Sequence, residues 1–240
     1  MASSTTTAPT KRYTVGLLIF NRVDVLDFAG PIEIFSHVSL NKNPDDPDRV
    51  YECLTLSRER IVRAADSLTV RADLLVEEAL ADLSRFDILV VPGAPPSVLQ
   101  PLLSPESPEM RLVTGFSELP PRSDDRGPRI LFSVCVGAFF LGAAGLLGGL
   151  RATTHHRARE VLAGICRAAG SEPVSIEDSR FVDAGLARGG AGPVAVVTAA
   201  GISSGLDAAL HIVAKHTSRD MADFIARVME YEPKGQTASG

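Results

Sequence analysis

Among the chain's three cysteines, five histidines and 29 acidic residues, one cysteine stands apart by its setting. Cys135 lies in FSVCVGAFFLGAAGLL, between an apolar β-rich run and a glycine-started, Ala/Leu-rich helical stretch. A residue at such a strand-to-helix elbow is held in a tight, strained turn with its side chain projecting into the crevice. The free N–H groups and the dipole of the following helix lower a thiol pKa, so a thiolate at neutral pH is expected. The alternative is a buried, inert cysteine. Cys53, inside a strand pattern, and Cys166, inside a helical one, fit that description better.

Partners for the thiol stand at three other places. VDVLDFAGPIEIF follows the first strand pattern and brings Asp24, Asp27 and Glu33 to the same sheet edge. A carboxyl beside the sulfur raises one pKa of the pair and supplies an acid/base group. Asp27, just before the helix start at Ala29-Gly30-Pro31, is the first choice, with an N-cap as its other role; Glu33 is the second. In VPGAPP, Gly93 and Ala94 end a strand, where backbone N–H groups can meet developing negative charge, or the pair is a simple turn. RATTHH places His155 and His156 at the end of a short strand, where either could pair with the thiol or be merely packed.

The elements that must position these groups are legible as alternating patterns. Apolar runs at 14–20, 51–57, 87–91, 130–134 and 194–198 have the character of strands buried on both faces, as in parallel sheets. Helical spacing covers 30–38, 76–83, 137–147, 157–169, 204–216 and 219–231. This alternation predicts an α/β fold: an open, doubly wound, mostly parallel sheet with helices on both faces and a ligand site at the strands' carboxyl ends. Residues 94–128, with eight prolines and the charged turn RSDDRG, read as a surface excursion with a short helix at 108–116, a lid or partner surface. Residues 130–150 carry no charge, but their five glycines favour a buried strand and helix over a membrane span.

The bulk properties narrow the function classes. A chain of 240 residues with 45% hydrophobic and 22% charged residues fits one globular domain, here 12–231, between loose tails at 1–11 and 232–240. A net charge of −5 argues against nucleic-acid or anionic-membrane partners. Three cysteines cannot all pair, and the Ser/Thr-rich start lacks a signal-peptide pattern, so a reducing, cytoplasmic setting is expected. No metal-ligand cluster is visible, and no cofactor is expected.

Taken together, LDFAGP, VVPGA, SVCVGAFFLGAAGLLGG, RATTHH and AAGISSGLDAALHIV resemble the ThiJ/PfpI superfamily of the class I glutamine-amidotransferase-like fold over residues 13–231. Within it the chain looks most like the isocyanide (isonitrile) hydratase branch. The resemblance implies a flavodoxin-like sandwich and carries the nucleophile onto Cys135 and its facing aspartate onto Asp27. It places Gly93 in the pocket loop and Ile202 at the turn before the helix that abuts the pocket. It also implies a small-molecule substrate and a homodimer. The chain departs from the usual pattern at Val136, where the hydratases often have Thr and the protease-like branch His, at Ala94 in a Gly-Gly pair, at His156 in place of an aromatic, and at Ala199-Ala200-Gly201 in a glycine run. Val136 offers no side-chain hydrogen bond, which argues against a protease-like Cys–His pair. The implied reaction is hydration of an isocyanide through a thioimidate on Cys135. A glyoxalase or deglycase using His155 and a thiol-based redox sensor are the competing readings.

Overall fold

The computed structural model describes residues 12–187 and 193–235. In chain order the elements are β1 (Tyr13–Leu18), α1 (Val25–Ser36), β2 (Tyr51–Ser57), β3 (Ile61–Ala64), β4 (Leu68–Arg71), β5 (Leu74–Leu75) and α2 (Val76–Ala81). They continue with β6 (Ile88–Val91), α3 (Pro96–Leu102), α4 (Pro108–Glu118), β7 (Arg129–Val134), α5 (Ala138–Ala143), β8 (Arg151–Ala152), α6 (Arg159–Ala168) and β9 (Ser175–Ile176). β10 (Phe181–Leu186), β11 (Val194–Ala199), α7 (Ser204–His216) and α8 (Arg219–Val228) complete the described chain.

Seven strands form one sheet in the order β10-β11-β7-β6-β1-β2-β5, parallel throughout except for β10, which runs antiparallel to β11 at the edge. The expected α/β architecture is therefore present. Its middle strands are the continuous apolar runs that parallel sheets require, with Leu17, Ile88, Leu89, Phe132 and Val196 fully buried. The helices surround the sheet in two packed groups, α1 with α7 and α8, and α2 with α4, α5 and α6. β2 lies on one side of β1, and β6, β7 and β11 on the other. The winding reverses between β1 and β6, the place where such sheets open a crevice at their carboxyl ends.

Some expectations change and one is met. α1 begins at Val25 rather than Gly30, so Pro31 lies inside the helix and Asp27 in its first turn. Proline is most at home at the first helical position, which is why the pattern suggested a later start. The 94–128 segment is not a surface excursion, because α4 buries Met110, Leu112, Val113 and Phe116 in the core. Its charged turn is no lid: Arg122 and Arg126 pair with the buried Asp87 just before β6, at the amino edge of the sheet, away from the predicted site. The charge-free stretch 130–150 is divided among β7, a 3-10 turn and the short α5, and no described helix is long and apolar enough to cross a membrane. Of the expected tails, residues 1–11 and 236–240 lie outside the described residues, while the Lys234 N–H donates to Asp207 of α7 at 2.8 Å.

Candidate active site

Because β1, β6, β7 and β11 are neighbours, the segments leaving their carboxyl ends converge. The segment after β7 carries the sulfur. Val134 is still extended, but Cys135 turns into the left-handed region at φ +58°, a conformation a non-glycine residue adopts only where its surroundings impose it. Two contacts impose it here. The Thr154 hydroxyl donates to the Cys135 carbonyl at 2.8 Å in a fully buried setting. Gly137 brings the following turn so close to β6 that a Cβ there would stand 2.0 Å from the Val91 carbonyl oxygen. Thr153 ties the same loop to β11, its N–H donating to the Thr198 hydroxyl at 2.9 Å.

The segment after β1 supplies the carboxylates. Asp27, with no exposed surface, accepts the Gly93 N–H on Oδ2 at 2.8 Å, while its Oδ1 is buried without a hydrogen-bond partner among the described residues. Gly93 returns the link by accepting the Asp24 N–H on its carbonyl at 3.0 Å. A Cβ on Gly93 would lie 2.9 Å from Val136 Cγ2 and 3.0 Å from both Asp27 Oδ2 and Cys135 Cβ. The glycine is thus what allows the loop to pass between acid and thiol. This corrects one expected role: the Gly93 N–H is occupied by Asp27 rather than free to receive a developing anion. Ala94 is buried directly beyond it.

Donor atoms of Asp24, Asp27 and Cys135 all lie within 4.8 Å of one another. Burial dominates the electrostatics of this cluster. It pushes the Asp27 carboxyl up to about 7, against the pull of the Gly93 N–H and with a further push from Asp24. Burial and then the Asp27 charge push the Cys135 thiol up to about 12, while the Val136 amide at the helix start works the other way. The expected neutral-pH thiolate is therefore replaced by a protonated thiol beside a carboxyl of raised pKa. The elbow does exert the expected pull, but desolvation at 4% exposure outweighs it. Asp24 is also raised by burial, partly offset by the nearby His155.

The other candidates divide. Glu33 leaves the site: it is exposed and bonds His37 at 2.9 Å one turn along α1. His155 is half-buried and lies near enough to Asp24 to feel its charge, but its Nδ1 accepts the Arg157 N–H at 3.3 Å at the turn before α6 rather than pairing with Cys135. Val136 is buried against Gly93. Ile202 is 43% exposed, in the turn that follows β11 next to the elbow. Sequence reasoning passed over Thr153 and Thr154 in favour of the histidines after them and set Asp24 behind Asp27. The available signal was a pair of hydroxyls at the end of a short strand, and once buried each must find an acceptor. No metal-ligand cluster is visible along the chain, yet the fold brings Asp24 and Asp27, both from the start of α1, together with Cys135 from the elbow after β7.

No protein-family model matches the chain. It is 29% identical over 226 residues to the isonitrile hydratase of Pseudomonas putida, covering 94% of this chain and 82% of that one. It is 35% identical over 158 residues to an uncharacterized protein in the cpoL 5′ region of Streptomyces lividans, covering 64% of this chain and 95% of that one. Among solved structures, a ThiJ/PfpI family protein from Pseudomonas syringae matches with a TM-score of 0.67 and 21% identity, covering 100% of this chain and 84% of that one. The chain thus shares the fold of the ThiJ/PfpI family protein, and its cysteine stands at the elbow after β7 of that sheet.

Proposed function

We propose that the chain is a cofactor-free, cysteine-dependent hydratase that adds water to a small electrophile, an isocyanide giving an N-substituted formamide. The observation that carries this reading is the Asp27 carboxyl, fixed on one oxygen by Gly93 and unpartnered on the other, in the same buried cluster as the Cys135 sulfur. The similarity to an isonitrile hydratase supports the choice of electrophile.

In this mechanism the thiol stays protonated until substrate arrives. The sulfur attacks the terminal isocyanide carbon while its proton passes to Asp27 and from there to that carbon, leaving a thioimidate, R–N=CH–S–Cys135. Asp27 then takes a proton from water as the water oxygen bonds to the carbon, and delivers it to nitrogen. Collapse of R–NH–CH(OH)–S breaks the C–S bond, and the hydroxyl proton returns to sulfur, so one water is consumed and R–NH–CHO leaves. Elbow strain, the Thr154 clamp and the tight Gly93 loop hold sulfur and acid in register for these transfers.

The competing readings have less support. An α-oxoaldehyde reaction would draw on His155, which is occupied at the turn before α6. A redox sensor calls for an exposed, ionised thiol. The test is formamide production from an alkyl isocyanide, with methylglyoxal as the rival substrate. Wild type should turn over the isocyanide, and Cys135→Ala and Asp27→Asn should each lose activity by at least about a hundredfold. Turnover of methylglyoxal alone, or undiminished hydration by Cys135→Ala, would overturn the assignment.

A further inference from the structure

We infer that Asp24, Asp27 and Cys135 form a binding site for one thiophilic divalent cation of the Zn2+ or Cd2+ class, and that the cation and the substrate exclude each other. The site has three protein ligands, one sulfur and two carboxylate oxygens, mutually within 4.8 Å. Zn–O and Zn–S bonds of about 2.0–2.3 Å require the donors to draw together by about 1 Å. Flexibility on the Asp24 side allows this, because Asp24 is only half-buried and its side chain makes no capping hydrogen bond.

A second feature points to a ligand independently of the cluster. Asp27 Oδ1 is wholly buried and, among the described residues, unpartnered, which is costly for a carboxylate unless something at the site satisfies it. The proposed reaction gives that oxygen a proton to carry but gives the half-buried Asp24 beside it no task. A divalent ion explains both. It would neutralise three groups that otherwise repel one another as they ionise, and it would release the thiol proton on binding. Thiolate with carboxylate selects zinc, cadmium and their neighbours over magnesium or calcium. Three protein ligands leave a fourth position for water, as in other open zinc sites.

The inference stands on this geometry and not on the identity of the electrophile. Because the cation would occupy the sulfur and the Asp27 oxygen that the reaction uses, it would act as a reversible inhibitor. The experiment is titration of the full chain with Cd2+, read by the ultraviolet thiolate-to-cadmium charge-transfer band and by equilibrium dialysis. One Cd2+ per chain is expected, with a band that disappears in Cys135→Ser and persists in the Cys53→Ser/Cys166→Ser double variant. Asp24→Asn should weaken binding at least tenfold. On wild-type protein, Zn2+ should slow iodoacetamide labelling of Cys135, a readout that needs no variant to fold. A band that survives Cys135→Ser, unchanged affinity in Asp24→Asn, or labelling indifferent to Zn2+ would overturn the inference. A chain that binds Cd2+ in this way but hydrates no isocyanide sinks only the proposed reaction, and the reverse outcome sinks only the cation site.

Discussion

Replacing Asp27 with Asn isolates the electrostatic cost of the site. In the folded chain the Asp27 carboxyl is pushed from 3.8 to about 7, chiefly by burial. At about 1.4 kcal/mol per tenfold change in proton affinity, this displacement amounts to about 4 kcal/mol. The folded-state pKa lies above the unfolded one, so the fold is favoured by protonation. The associated stability is fully present below about pH 4 and is lost progressively as pH rises to about 7. Against a typical total of about 5–15 kcal/mol, that loss is easily measured. Asn keeps an acceptor for the Gly93 N–H and places an amide where the unpartnered Oδ1 stands. It can cost a pH-independent ~1–3 kcal/mol for a buried donor, but it cannot ionise. Urea denaturation of both proteins at pH 5 and pH 8.5 reads the effect as a difference of differences, in which all other titrating groups cancel. Wild type should lose about 3 kcal/mol more than the variant across this interval, since part of the total is already lost by pH 5. Equal losses in the two proteins would refute the assignment of a buried, proton-holding Asp27.

Three further outcomes follow from the same geometry. If ionised Asp27 receives the thiol proton, kcat/KM for hydration should rise with pH through about 7, and a profile flat from pH 5 to 9 would contradict this. Gly93→Ala forces a Cβ to within 2.9–3.0 Å of Val136, Asp27 and Cys135, and should cost about 1–3 kcal/mol of stability along with most activity; a fully active, equally stable variant would show that the cluster is looser than described. Thr154→Val removes the donor to the buried Cys135 carbonyl and should cost about 1–3 kcal/mol, with Thr154→Ser restoring most of it, as thermal denaturation would show.

Much of the scaffold was legible because buried parallel strands announce themselves. The five apolar runs each became a sheet strand, and the periodicity at 204–216 matched α7 residue for residue. The hairpin of β3 and β4 and the edge strand β10 escaped. Their polar and glycine-interrupted sequences lack a continuous apolar run, and Gly185 marks a register shift in β10. Pro31 misplaced the start of α1 because local preference favours proline at the first turn, whereas packing of α1 against β2 and α7 extends the helix beyond it. Within the site, the elbow could be named from the chain because Cys135 follows β7 directly, and Asp27 because it lies in the turn into the first helix after β1. What linear patterns could not show was the sum of burial. Desolvation reversed the expected ionisation of Cys135, and the fold turned the Gly93 N–H toward Asp27. The contribution of Thr154 was hidden for the same reason, since its hydroxyl reaches a carbonyl 19 positions away.

The proposed covalent step can be caught directly. Rapid mixing with an alkyl isocyanide, acid quenching and intact-mass analysis with peptide mapping should reveal a transient adduct equal to the isocyanide mass on Cys135, decaying as formamide accumulates. Formamide release with no adduct on that cysteine, or an adduct confined to Cys53 or Cys166, would contradict covalent hydration at the elbow.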